Sequence, residues 1–191
     1  MAIILNLILL IFSYSLIASE VSRPLSKSTS VFLDFLSWQQ EGKIKSGNTK
    51  SPIILTNRAV CAGGSLGHNF LTYRSFVDGC FVYGLGNVGS EKKTITYDQS
   101  DISLYGLKAS IGISKFVSPS NAEIGFKIPL LLTHQLLTEP KNTKLTTPTP
   151  FSVMASLYSR WPIQQWFVQT EFSKFVDNDL VLFSVGAGYN F

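Results

Sequence analysis

The sequence has little charge, few cysteines and few histidines, and each shortage removes a class of protein. Charged residues make up 15% of the 191-residue chain, against about 25% in a typical soluble domain. Two cysteines are too few for a disulfide-dense small domain or a zinc site built from cysteine alone. Two isolated histidines do not predict a multi-histidine metal centre. Hydrophobic residues, in contrast, reach 45% and aromatic residues 13%, which excludes a disordered chain.

The first 19 residues have the pattern of a targeting segment. An apolar run over Ile3–Phe12 is followed by small and polar residues, which predicts a secretory signal peptide cleaved after Ala18 or Ser19. An uncleaved membrane anchor is the alternative, but the apolar run is short for a hydrocarbon core of about 30 Å. After Ser19 no apolar run approaches 18 residues, so any membrane span in the mature chain must be built of strands.

The last residues alternate strictly between two faces. The apolar face carries Val181, Phe183, Val185, Ala187, Tyr189 and Phe191. The other face holds Leu182 and small or polar residues. A period of two predicts a strand with one apolar face.

A final strand of this kind, which ends on an aromatic residue and follows a signal peptide, resembles the sorting signal of bacterial outer-membrane β-barrels. The resemblance implies a location in the bacterial outer membrane. It also implies that the barrel assembly machinery reads the C-terminal strand, through Phe183, Val185, Ala187, Tyr189 and Phe191.

The same period-two alternation continues upstream and predicts eight strands of membrane-spanning length. They are placed near 29–40, 58–70, 75–86, 102–113, 122–132, 150–160, 165–175 and 180–191. The chain is thus expected to be all-β, with a signal peptide at 1–19, a short periplasmic segment at 20–28 and a barrel over 29–191. It resembles the small OmpA/OmpX-type barrels, which are eight-stranded, antiparallel and up-and-down.

The composition of the two faces favours a membrane barrel over a soluble one. A soluble barrel would carry many Lys and Glu on its polar outer face, whereas these polar faces are rich in Gly, Ser and Asn, which suit a narrow interior.

Long loops are expected at 41–57, 87–101 and 133–149, and short turns at 71–74 and 161–164. Aromatic residues near the short turns predict an interfacial girdle, with turn-flanking core aromatics as the alternative: Phe70, Tyr73, Phe116, Trp161, Trp166, Tyr189 and Phe191.

Seven charged residues fall on the face assigned to the lumen: Asp34, Asp78, Lys108, Glu123, Lys127, Arg160 and Glu171. Such charges must pair or meet trapped water, so we expect an ion-paired plug rather than a selectivity filter.

Cys61 and Cys80 lie on adjacent predicted strands, and the oxidising periplasm permits a disulfide between them.

No residue pattern points to catalysis, a metal or a cofactor. His68 and His134 lack the Ser and acid spacing of a lipid A deacylase, and scattered basic residues do not predict nucleic-acid binding. Lysines in the predicted loops either match the phosphates of lipopolysaccharide or are ordinary solvated loop charges: Lys43, Lys45, Lys50, Lys92, Lys93, Lys141 and Lys144. We therefore expect a non-enzymatic outer-membrane protein in contact with outer-membrane lipids and lipopolysaccharide, with a structural or adhesive role through its loops. A lipid-modifying enzyme or a narrow pore is the alternative.

Overall fold

The computed structural model of the protein describes residues 23–46, 49–89, 102–117, 120–137, 143–146, 151–177 and 180–191. The expected signal peptide at 1–19 lies outside the described residues. Within those residues no helix is long and apolar enough to cross a membrane.

The described part of the chain forms eight long strands and one short strand. They are β1 (Arg23–Ser46), β2 (Thr49–Leu71), β3 (Tyr73–Gly89), β4 (Ile102–Val117), β5 (Ala122–Leu137), the short β6 (Thr143–Thr146), β7 (Phe151–Ile163), β8 (Trp166–Phe175) and β9 (Val181–Asn190).

The eight long strands close into an antiparallel barrel. Each pairs with its neighbours in the chain, β5 pairs directly with β7, and β9 returns to pair with β1. The register partners can be followed from strand to strand around the barrel, starting at Ser28 of β1. The path returns to β1 at Trp38, ten residues further along the strand. This shear of ten fits the tilt of about 35–45° that membrane strands adopt. The path runs through Gly67, Phe76, Gly112, Lys127, Ser156, Ser173 and Leu182. The predicted all-β, eight-stranded up-and-down barrel is thereby confirmed.

The two ends of the barrel differ in their connections. One end, here called the terminal end, carries the start of β1, the end of β9 and three tight turns. Leu71, Asn121 and Gln164, the non-glycine residues with positive φ in the described chain, lie at these turns, where the chain must reverse within few residues. The opposite end, the loop end, carries the connections at 47–48, 90–101, 138–150 and 176–180.

The apolar rows face outward, as predicted. Phe81 is 75% exposed, Ile111 61% and Phe183 50%, and the row continues on every long strand. No part of the described chain covers these side chains. In water this surface would be far larger than a soluble monomer exposes, so hydrocarbon must cover it.

The first and second strands are much longer than predicted. β1 begins at Arg23, so residues 23–28 extend the barrel wall instead of remaining in a separate segment at 20–28, and Ser26 pairs with Asn69. The predicted loop at 41–57 is wrong, because β1 continues to Ser46 and β2 begins at Thr49. Beyond the membrane both faces of a strand meet water or polar groups, so the apolar alternation that marks the membrane strands is lost.

A small sheet extends the barrel at its loop end. β6 lies within the predicted loop at 133–149 and pairs with residues 43–46 of β1, which pair in turn with residues 49–52 of β2. We call these three segments the β6–β1–β2 extension. The expected loop is thus partly strand, and β5 itself continues to Leu137.

The aromatic girdle at the terminal end is present with one exception. Trp166, Tyr189 and Phe191 form a chain of edge contacts with centroid distances of 5.3 Å, and Trp161 is 43% exposed. Phe116 was predicted to belong to it, but its side chain is only 4% exposed. It lies two residues after Ser114 on the inward face of β4, so the period of two turns it into the barrel.

Candidate functional site

All seven charged residues assigned to the lumen point inward, and each is buried, with at most 8% of its surface exposed. The structure adds an eighth, Arg74, which is 2% exposed. We call the eight together the ionic layer: Asp34, Arg74, Asp78, Lys108, Glu123, Lys127, Arg160 and Glu171.

The centre of the ionic layer is organised around Glu171. Its carboxylate accepts hydrogen bonds from Lys108 Nζ at 2.5 Å and Lys127 Nζ at 2.7 Å. The hydroxyls of Ser156 and Ser173 donate to its second oxygen at 3.1 and 2.8 Å. A buried carboxylate with four donors is fully compensated for the water it has lost.

Asp78 extends this centre by sharing Lys127 with Glu171. The distance from Lys127 Nζ to Asp78 Oδ2 is 3.4 Å, and the Ser110 hydroxyl donates to the other oxygen of Asp78. Lys127 thus bridges two strands on opposite sides of the lumen, β3 and β8, from its own place on β5.

A second ion pair lies nearer the terminal end. Arg74 Nη1 donates to Glu123 Oε2 at 3.0 Å, and the guanidinium also donates to Ser28 at 3.1 Å and Ser65 at 3.3 Å. The hydroxyl of Ser114 donates to Glu123 at 3.1 Å. Arg74 was missed because the third strand was predicted to begin at residue 75; its even spacing with Asp78 was the available signal.

Asp34 and Arg160 are linked through a glutamine. Gln169 donates from Nε2 to Asp34 Oδ1 at 2.7 Å and accepts from Arg160 Nη2 at 3.1 Å. The Arg160 guanidinium also lies 3.9 Å from the centre of the Phe167 ring, a cation–π contact. The ionic layer holds four acids and four bases, so its formal charge is zero; without Arg74 it would have carried a net negative charge.

The loop-end half of the lumen contains a group of apolar side chains that was not predicted, beside buried polar residues such as Asn57 and Thr133. Leu36 follows Asp34, Leu131 follows Lys127 and Phe175 follows Glu171, each on the same inward face and nearer the loop end. We call this group the apolar layer; every member is at most 5% exposed: Leu36, Trp38, Val82, Leu104, Leu131, Met154, Phe175 and Leu182. Leu36 and Trp38 lie two and four residues after Asp34, so the sequence already indicated that both face the lumen.

The space within the ionic layer is small. A cavity beside Asp34, Asp78, Lys108 and Lys127 leaves about 10 Å³ for the centre of a water molecule. That volume accommodates about one water. At the level of the ionic layer the interior is therefore packed rather than channelled.

Cys61 and Cys80 are joined by a disulfide between β2 and β3, with their Cα atoms 5.5 Å apart. Both face inward, at the boundary between the two layers. Cys61 is paired in register with Val82, and Cys80 with Gly63, so the bridge runs diagonally across the two strands.

The two histidines lie outside the lumen. His68 and His134 are both exposed on the outer face, and the imidazole of His134 lies 5.1 Å from the ring of Tyr105. Among the described residues no group of His, Cys, Asp and Glu is arranged to hold a metal ion.

The strand with the predicted sorting signal closes the barrel. β9 pairs with β1 from Ser30–Asn190 to Trp38–Leu182, and with β8 on its other side. Its signal residues face outward; Phe183 is 50%, Val185 40% and Phe191 78% exposed.

Comparison with known proteins gives similarity in fold alone. No family model matches the chain, and no curated protein matches it in sequence. Ail, the attachment invasion locus protein of Yersinia pestis, is similar in structure, with a TM-score of 0.42 and 9% sequence identity. The match covers 87% of this chain and 100% of Ail. Neisserial surface protein A has a TM-score of 0.41 and 13% identity, over 86% of this chain and 97% of that one.

The class of protein follows from the barrel itself. A closed antiparallel barrel with a lipid-facing apolar exterior, aromatic residues at its rim and short turns at one end has the architecture of an outer-membrane protein. Eight strands and a side-chain-filled lumen place it with the small barrels of OmpA/OmpX type in fold. The predicted location, the bacterial outer membrane, follows from this architecture.

Proposed function

We propose that this protein is a non-enzymatic surface protein of the outer membrane that contacts its partners through the loop end. The observation that supports the proposal is the filled interior: the ionic layer and the apolar layer together occupy the lumen. A barrel filled in this way offers no route for a solute, so its exposed surfaces are what remains for function.

The loop end is the side suited to contact with a partner. In outer-membrane barrels the short turns face the periplasm and the longer connections face outward. The β6–β1–β2 extension stands on this side, and its β1 and β2 segments continue directly from the barrel wall. A sheet anchored in a barrel presents its side chains on a rigid base, which reduces the entropy lost when a partner binds.

The residues on the outer face of the barrel near the loop end are suited to bind lipopolysaccharide. Tyr83 pairs with Tyr105, and Tyr105 pairs with His134, in one row across β3, β4 and β5. The exposed Arg58 lies on the same face, two residues from the partner of Tyr83. A guanidinium beside phenol and imidazole donors at the edge of the apolar belt suits a phosphorylated glycolipid headgroup.

An epitope inserted at two connections tests the orientation and the location. A tag between residues 47 and 48 should be labelled by antibody on intact cells, because this connection is at the loop end. The same tag between Gln164 and Gln165, at a terminal-end turn, should be labelled only after the outer membrane is opened. Labelling of the second tag on intact cells, or recovery of the protein in the soluble periplasm, would refute the proposal.

Two further measurements separate this function from its alternatives. Adhesion of cells to surfaces coated with extracellular material should fall when residues 42–53 are replaced by a short turn, with equal amounts of barrel in the membrane. The mass spectrum of lipid A should be the same with and without the protein. A new lipid A species that depends on the protein would establish an enzyme instead.

A further inference from the structure

The β6–β1–β2 extension brings together lysines that are far apart in the sequence. Lys45 of β1 is paired in register with Lys50 of β2 on one side and with Lys144 of β6 on the other. Residues directly opposite in antiparallel strands share one face of the sheet. Lys43, two residues before Lys45 on the same strand, lies on that face as well, and the side chains of Lys43 and Lys45 are exposed.

Such a row is unfavourable in the free protein. Like charges directly opposite each other on adjacent strands destabilise the pairing. On this face of β1 the exposed Glu41 lies next to Lys43, about 7 Å along the strand, but it is about 13 Å from Lys45, where the three lysines meet. An anion that spans the row would relieve the repulsion between three strands at once.

We propose that the face of the extension defined by Lys43, Lys45, Lys50 and Lys144 binds an extended polyanionic polysaccharide. This inference rests on the proposed function, because it names the partner of the external surface. Strands in a sheet are about 4.8 Å apart, so the row presents positive charge at short, regular intervals, as a sulfated or phosphorylated sugar chain presents negative charge.

The height of the row favours a chain outside the membrane over a lipid headgroup. Lys50 precedes Arg58, at the edge of the apolar belt, by eight residues of β2. That separation is roughly 26 Å along the strand and, with a tilt of about 40°, roughly 20 Å in height, beyond the phosphates that adjoin the hydrocarbon core. Nucleic acid is not favoured, because the row has no aromatic residue on which bases would stack.

The test is a binding titration with the purified full-length barrel in detergent, using dextran sulfate as the probe and neutral dextran as its uncharged control. The triple variant K45Q/K50Q/K144Q should bind dextran sulfate about tenfold more weakly than the native protein, with a weaker dependence on salt. The matched variant K92Q/K93Q/K141Q removes the same amount of charge from loop-end residues outside the row and should stay within about twofold of the native affinity.

Four outcomes would overturn the inference. They are no binding of dextran sulfate, equal loss in the two triple variants, equal binding of neutral dextran, and binding of polyglutamate or single-stranded DNA as tight as that of dextran sulfate. The assay uses purified protein and does not depend on membrane orientation. It can therefore fail while the epitope labelling succeeds, and the reverse also holds.

A second measurement separates a ligand site from a merely structural row. In the absence of ligand, K45T should raise the stability of the extension, because it removes both opposed lysine pairs. Slower proteolysis near residues 47–48 would show this effect, and addition of dextran sulfate should protect the native protein but not the variant. Faster proteolysis of the variant would overturn the inference.

Discussion

Each charged residue of the ionic layer makes an ion pair or a hydrogen bond with a residue that another strand supplies. Glu171 shows the arrangement most fully, because two lysines and two serines converge on it. Ionised groups in so narrow an interior are tolerated only while every member remains compensated. The layer is therefore sensitive to the loss of any single residue.

Replacing Glu171 with Gln should lower the free energy of unfolding by about 3–5 kcal/mol, because Lys108 and Lys127 would lose their shared counterion inside the barrel. The loss of the folded, heat-modifiable band on SDS gels across a urea series measures this. E41Q is the control, since Glu41 is exposed, and it should leave the midpoint almost unchanged. Equal midpoints for the two variants would contradict a structural role for the layer.

Glycines in the lumen make room for the large side chains opposite them. A Cβ at Gly186 would overlap the Asp34 carboxylate and the Leu33 carbonyl, and would come within 2.7 Å of Asp34 Cα. A Cβ at Gly79, on the outer face, meets nothing closer than a carbonyl oxygen at 3.9 Å.

G186A should therefore destabilise the barrel by about 1–3 kcal/mol, the usual effect of overpacking, whereas G79A should be neutral. Both substitutions lie in strands, so a general propensity effect would move the two variants equally. Urea midpoints decide between these results. A stable G186A variant would mean that Asp34 can move freely, against its hydrogen bond with Gln169.

At the residue level the sequence predicted well which face of a strand each side chain occupies, but it predicted poorly which side chains contact each other. Strict alternation assigned Asp34, Lys108 and Glu171 to the lumen, because a period of two leaves only two choices. It could not predict which base meets which acid, since partners such as Lys108 and Glu171 come from strands that are not adjacent. Phe116 and Arg74 were misplaced because both lie at strand ends, where an error of one or two residues changes the assigned element.

Among the elements, β1 and β2 diverged most from prediction. Their membrane portions alternate, but residues 41–57 include Gly42 and Pro52, which normally punctuate loops. The extension is a three-stranded sheet because β2 and β6 supply hydrogen-bond partners on both sides of β1. Pairing with distant segments is invisible in a local pattern.

The disulfide joins β2 and β3 across a separation of 19 residues. Closing a loop of this size restricts the unfolded chain and should stabilise the barrel by about 3 kcal/mol. The double variant C61A/C80A should have a free energy of unfolding lower by about that amount, seen as a lower urea midpoint than that of the native protein. A single C61A variant tests whether the remaining thiol is accessible, and two free thiols in unreduced, denatured native protein would refute the bridge.

The outward residues of β9 make few contacts inside the folded barrel, because they face the surrounding membrane. Their predicted role in assembly can therefore be tested separately from the stability of the barrel. F191N should reduce the amount of protein in the outer membrane several-fold, while the purified variant refolds in detergent as well as the native chain does. Trp166, which is also an exposed rim aromatic, provides the control W166N with normal membrane levels. Equal membrane levels for F191N and the native protein would remove the assembly signal.

At the scale of the whole molecule, two layers of different chemistry close the same lumen. A shear of ten residues over eight strands leaves a bore that side chains fill. The sequence predicted this closure from strand number and from the inward charges. The apolar layer was missed because an interior leucine and a lipid-facing leucine differ only in which parity of the strand they occupy.

Closure by two independent layers predicts that the protein does not conduct ions. In planar bilayers at high salt the native barrel should show no steady current steps, and W38A should also be silent, because the ionic layer still fills the lumen. The triple variant W38A/K127A/E171A removes bulk from both layers and should admit brief, irregular currents if it folds, which heat-modifiable migration checks. Long-lived steps of uniform size from the native protein would show that the ionic layer opens, and the protein would then be a narrow pore.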